Sequence, residues 1–163
     1  MATTVNTLNI KQEVSGVYSC NDIANYFLFK AEEGEELISN LKLQKLVYYA
    51  QGLYLIFFKK PLFEESIEAW TYGPVIPTLY HRYKESGAGS IPPPENFTPD
   101  VIAENDREFL DEIFDVFGQF SAIRLKDIAH EDMCWKQAYD KGTGTIITHE
   151  AMTEDLVKYV RNA

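Results

Sequence analysis

In the stretch "SNLKLQKLVYYAQGLYLIFF", apolar residues recur at Leu43, Leu46, Val47, Ala50, Leu53, Tyr54 and Phe57. That is the i, i+3, i+4, i+7 repeat of one helical face, held over about four turns. Past Gly52 the segment is apolar all round, with Leu55, Ile56 and Phe58 added. A helix with no polar side is packed by neighbours, so this one is expected at the centre of the fold. Ser39 or Asn40 can cap its start, and Pro61 breaks it.

The same reading places helices on either side. Ser19 caps an earlier one, with Asp22 in its first turn, Ile23, Phe27, Leu28 and Ala31 on one face, and Gly34 at its end. After Pro61, Ile67, Ala69 and Thr71 alternate with Glu68, Trp70 and Tyr72, which predicts a small strand or hairpin around residues 62–72. Gly73-Pro74 reads as a turn, and Pro74 also fits the first position of a new helix carrying Val75, Leu79 and Tyr83. Residues 86–99 form a Gly, Ser and Pro-rich loop. Thr98-Pro99 opens a helix to Phe117 with Ile102, Phe109, Ile113, Val116 and Phe117 inward, stopped by Gly118. Ser121 caps a helix with Leu125, Ile128 and Ala129, "MCWKQAYD" adds a turn or two, and "KGTGTI" reads as a loop. Thr148 or Thr153 caps a last helix containing Leu156, Val157 and Val160. The expected fold class is mainly α: a compact single-domain helical bundle, residues 19–163, behind a flexible N-terminal arm, residues 1–18.

Composition sharpens this picture. The 163 residues are 45% apolar and 13% aromatic, enough for one core. Net charge is -10, which repels phosphate backbones and suits a cationic protein partner. Cys20 and Cys134 form no CxxC, so a reduced, cytoplasmic setting is the plain reading. The first residues do not read as a signal peptide, and "LYLIFF" is too short to span a bilayer.

Candidate chemistry is sparse. His130 and Cys134 have i+4 spacing, but two ligands make a weak metal site, and no flanking pattern supports a Cys–His nucleophile. No phosphate-binding or dinucleotide loop occurs, so no cofactor is expected. Asp100, Glu104, Asp106, Glu108, Asp111, Glu112 and Asp115 form the expected outer face of one helix, either a solubilising surface or a dock for a basic partner. "FSAIRLKDIAHED" has a faint helix-turn-helix character, but Arg124 and Lys126 stand against Asp127, Glu131 and Asp132, which disfavours nucleic acid. Lys42, Gln44 and Lys45 read either as snorkelling side chains or as a polar seam facing "WTYGP". Tyr48, Tyr49, Trp70 and Tyr72 suit a core with satisfied polar tips as well as an interface.

These residues carry a resemblance. Lys42-Leu43-Gln44-Lys45-Leu46, Tyr48-Tyr49-Ala50-Gln51-Gly52, Pro61-Leu62-Phe63, Ala69-Trp70-Thr71-Tyr72-Gly73-Pro74-Val75 and Tyr80 closely resemble the Panacea domain of SocA-like antitoxins and phage-associated proteins. The likeness covers about residues 20–140, including a C-terminal half with Gly118, a Ser-Ala-x-x-Leu helix, and His130 ahead of Trp135. Two positions depart from the family pattern: Ala129 stands where Thr is common before the histidine, and Cys134 where Pro is common before the tryptophan. The resemblance implies an antitoxin that neutralises a cognate toxin by direct binding, and no catalytic residues. One family member is a proteolytic adaptor, so a cellular protease is a further implied partner. Repression of the protein's own operon is another alternative. The motif positions expected to support a partner surface are Lys42, Gln44, Lys45, Tyr48, Trp70, Tyr72, Gly73, Pro74, His130 and Trp135.

Overall fold

The computed structural model describes residues 3–6 and 16–161. The expected central helix is α2, Asn40–Phe58, which follows α1, Cys20–Glu33. Ser39, not Asn40, caps α2 by accepting from the Lys42 N–H, as Ser19 accepts from Asp22 to cap α1. Lys59, in the left-handed region at φ 60, ends α2 two residues before Pro61.

Around α2 pack α1, α3 (Pro77–Tyr83), α4 (Glu104–Phe117), α5 (Ala122–His130) and α7 (His149–Leu156). Helix α6, Met133–Asp140, lies between α5 and α7. Leu43, Leu46, Val47, Ala50, Leu53 and Tyr54 are fully buried, as the periodicity requires. Burial of each large side chain contributes about 1.5–3 kcal/mol. The deepest part of α2 is not its wholly apolar end, however. Gln44, Lys45 and Gln51 are buried, whereas Ile56, Phe57 and Phe58 are only half-buried.

The β element is larger than expected and centred later. Strand β2, Glu68–Trp70, pairs antiparallel with β3, Gly73–Val75, with Trp70 opposite Gly73. The turn is therefore Thr71-Tyr72, and Gly73-Pro74 belongs to a strand. Pro74 is tolerated because β3 is an edge strand, where no further ladder bond is needed. The new helix begins instead at Pro77, behind Ile76. On its other side β2 pairs with β4, Thr145–Ile146, in the segment expected to be loop.

Three further boundaries differ. Thr98-Pro99 leads only into a short 3-10 turn, Pro99–Val101, and α4 starts at Glu104. Ile102 is extended and buried, and the Ala103 N–H donates to Tyr18 Oη at 3.1 Å. Thr148 caps α7, but the helix ends at Leu156, and a 3-10 turn, Val157–Tyr159, follows. Val160, expected in that helix, instead lies in strand β5, Val160–Arg161, paired parallel with β1, Val5–Asn6. Of the expected N-terminal arm, Val5 is fully buried in that pairing and Tyr18 bridges Phe63. Residues 1–2 and 7–15 lie outside the described residues.

Asp106 corrects the expected acidic face. It is fully buried and accepts from Tyr18 Oη at 2.5 Å, Tyr54 Oη at 2.8 Å and the Gly16 N–H at 3.2 Å. Glu104, Glu108 and Asp115 do remain exposed.

Candidate functional site

Two motif glutamines explain why the chain after α2 folds back onto it. Gln51 donates to Phe63 O at 2.6 Å and accepts from the Leu62 N–H at 2.8 Å. Gln44, two turns earlier on the same face, accepts from the Ile76 N–H at 2.8 Å and donates to Asn40 Oδ1 at 2.8 Å. A buried amide that satisfies both its donor and acceptor fixes the backbone it reads. Gln44 thus holds the exit of β3, while Gln51 holds the approach to β2.

The hairpin so positioned is clipped at its tip from the other side. Trp135 Nε1 donates to Trp70 O at 2.9 Å. His130 Nε2 lies 3.1 Å from Thr71 O, so the ring carries its proton on Nε2 when this bond forms. Thr71 Oγ1 and Tyr139 Oη are 3.2 Å apart. The His130 ring stacks on Trp135 at 4.5 Å, and Trp135 stacks on Tyr139 at 4.9 Å. Three aromatic rings from α5 and α6 therefore brace the turn, and Tyr72 projects from it with 66% of its surface exposed. The departing residues Ala129 and Cys134 are both buried.

Behind the hairpin lies a cavity of about 520 Å³ between α2, β2–β3 and the loop after α3. Trp70, Tyr72, Val75, Tyr80 and Leu41 wall it, and Lys45 lies in its lining. Trp70 meets Tyr80 edge to face at 4.9 Å and donates from Nε1 to Glu68 at 3.0 Å. Lys45 is fully buried, and its Nζ has no hydrogen-bond partner. Burial, with Lys126 adding repulsion, pulls its amine down to about 7. Gly73, at φ +109, makes room for this lysine, because a Cβ there would sit 2.8 Å from Lys45 Cε.

The structure thus brings together Gln44, Lys45, Trp70, Tyr72, Gly73, Pro74, His130 and Trp135. It separates Lys42 and Tyr48 from them. Lys42 Nζ donates to Gly118 O at 2.7 Å. Tyr48 is core: its hydroxyl donates to Asp132 at 2.8 Å and lies 3.1 Å from Cys134 Sγ. Asp132, read from the sequence only as one of the acids opposing Arg124 and Lys126, is a buried hub. It also accepts from Tyr49 at 2.8 Å, Tyr159 at 2.5 Å and Lys158 Nζ at 2.9 Å. Burial pushes its carboxyl up, opposed by Tyr159 and Lys158. Burial likewise raises the Cys134 thiol to about 12, far from thiolate chemistry at neutral pH. Sequence signals for this hub were weak, since an acid at a helix N-terminus is usually a solvated cap.

The family model for "Antitoxin SocA-like, Panacea domain" matches residues 43–136, more than half of the chain. The chain belongs to this family. The matched span of this Panacea-domain protein runs from the α2 motif through the hairpin and cavity to the His130–Trp135 stack. It leaves out α1, β4, α7 and the paired strands β1 and β5. Antitoxin SocA of Caulobacter vibrioides (strain NA1000 / CB15N) is 43% identical over 65 residues, which are 40% of this chain and 35% of that protein. The similarity thus spans about a third of the curated relative's length. No solved structure matches. No helix among the described residues is long and apolar enough to cross a membrane.

Proposed function

We propose that this chain is an antitoxin that neutralises a cognate toxin by binding it directly, without catalysis, and that the hairpin tip is a principal contact. The observation that carries the reading is membership, over more than half of the chain, in the SocA-like antitoxin family. The geometry supports it in two ways. Tyr72 is a large exposed aromatic on a turn held from both sides, so little conformational freedom is lost on binding. Cys134 and His130, the nearest thing to a reactive pair, are committed elsewhere: the thiol is buried against Tyr48 and the imidazole clips Thr71. The exposed acids Glu104, Glu108 and Asp115 of α4 offer a second surface with the sign to attract a basic toxin.

Co-expression with the neighbouring gene is the test. The neighbour alone should arrest growth, and this chain should restore it. A neighbour that is harmless alone, or still toxic beside this chain, refutes the reading. Tyr72→Asp should abolish rescue while leaving the melting temperature within about 2 °C of the parent, as for an exposed substitution. Masking leaves the toxin's half-life unchanged or longer, whereas delivery to a protease shortens it.

A further inference from the structure

The cavity beside the hairpin has the dimensions and lining of a ligand site. Its volume of about 520 Å³ lies within the roughly 300–1,000 Å³ range of small-molecule pockets. Its walls are the flat faces and edges of Trp70, Tyr80 and Tyr72 with the aliphatic Leu41 and Val75. Its ionisable lining residues are Lys45 and Lys84, both bases, although acids outnumber bases in the chain 25 to 15.

The polar groups in the lining are unequally committed. Asn40 and Gln44 are paired with each other. Asn40 also donates to Tyr80 O at 3.3 Å, and Gln44 accepts from Ile76. Lys45 Nζ alone among them is buried without a partner. An amine in that state destabilises the fold, and a Met of similar length would fill the same space without the penalty. Gly73 belongs to the same arrangement, since a Cβ there would sit 2.8 Å from Lys45 Cε and only a residue without a side chain admits the lysine stem. A desolvated amine left without a partner in the lining of a cavity marks a site kept for binding.

We propose that this cavity binds a carboxylate carried on an apolar or aromatic body, with Lys45 as the counter-ion at its inner end and Lys84 at its mouth. The four-carbon stem of Lys45 is flexible enough to turn the ammonium toward the ligand. One buried cation matches one negative charge. A phosphate dianion would need several more donors than this lining has free. The lowered proton affinity of Lys45 fits an empty pocket, because an adjacent carboxylate restores the charged form. The carboxylate has two sources, a free small acid or the C-terminal group of a bound polypeptide. The site stands independently of the antitoxin reading: binding is measured on the isolated chain, neutralisation in cells.

The test follows the Trp70 indole and Gly73 amide by NMR while the full chain is titrated with phenylacetate or octanoate. The neutral phenylacetamide and octanamide serve as matched controls. The acids should produce saturable shifts at both reporters, with affinity at least about tenfold above the amides, a difference of about 1.4 kcal/mol. Lys45→Met should bring the acids down to the level of the amides. Ala88→Trp, placed at the exposed mouth, should block acids and amides alike, and it keeps the test decisive if Lys45→Met alters folding. A peptide ending in Phe with a free carboxylate, compared with its C-terminal amide, separates the sources. Tighter binding than phenylacetate assigns the site to a polypeptide terminus, and weaker binding assigns it to a free acid. Absence of saturable shifts with both acids, or equal affinity for acid and amide, overturns the proposal.

Discussion

A lysine with every atom out of water and no hydrogen-bond partner costs free energy in its charged form, so the fold favours its neutral form. Lys45 is in that position, with its amine lowered to about 7 against about 10.4 in an unfolded chain. Between those values the unfolded state binds more protons than the folded state, so stability rises with pH. Cys20 and Cys134, raised by burial to about 12, act in the opposite sense once the unfolded thiols ionise near pH 8.5. Comparing wild type with Lys45→Met between about pH 6.5 and 8 isolates the lysine. Wild type should gain about 1 kcal/mol on the variant across that span, read from urea midpoints, and the variant should be the more stable at the acid end. Asp132 is the opposite case, a buried charge with its partners in place. Asp132→Ala should lower stability by about 3 kcal/mol, since three tyrosine hydroxyls and Lys158 lose their acceptor. Neither environment is visible in the sequence. Lys45 has the spacing of a snorkelling side chain, and Asp132 sits where a solvated cap would. Their burial depends on residues as distant as Gly73 and Tyr159.

Helix α2 was legible because its periodicity is long and its caps are conventional, and because apolar residues all round leave few alternatives to a central position. The sequence did not disclose that its polar motif residues are buried more deeply than its apolar end. Gln44 and Gln51 are inside because they satisfy backbone groups of the segment that follows, a relation no period encodes. Gly52 marks another such relation. A Cβ there would lie 2.2 Å from Leu156 Cδ1, so α2 and α7 approach at that point without room for a side chain. Gly52→Val should destabilise by about 2–3 kcal/mol, measured by thermal or urea unfolding, through overpacking against α7. The hairpin was foreseen in kind but misplaced in register. Gly73-Pro74 has the composition of a turn, yet the pairing of Trp70 with Gly73 puts the turn at Thr71-Tyr72.

On the scale of the molecule, charge and topology have separate roles. A net charge of -10 does not shape the fold, but it sets the long-range field a partner meets. Association with a basic toxin should slow by about tenfold or more between roughly 0.03 and 0.3 M salt, in stopped-flow measurements, while dissociation changes little. A salt-independent association rate would remove α4 from the contact surface. The Tyr18–Asp106 contact, 88 residues apart in sequence, ties the N-terminal segment to the body, and the Val5–Val160 pairing ties it to the last described strand. From the sequence alone came the mainly helical class, the identity of the central helix, the family motifs and the absence of a recognisable catalytic motif. Periodicity, capping and spacing are local properties, and a single chain displays them directly. Tertiary structure alone decided which polar motif residues are buried and which side of the hairpin bears a cavity. It also decided that one lysine there lacks a partner, because burial and pairing are settled only when segments far apart in sequence meet.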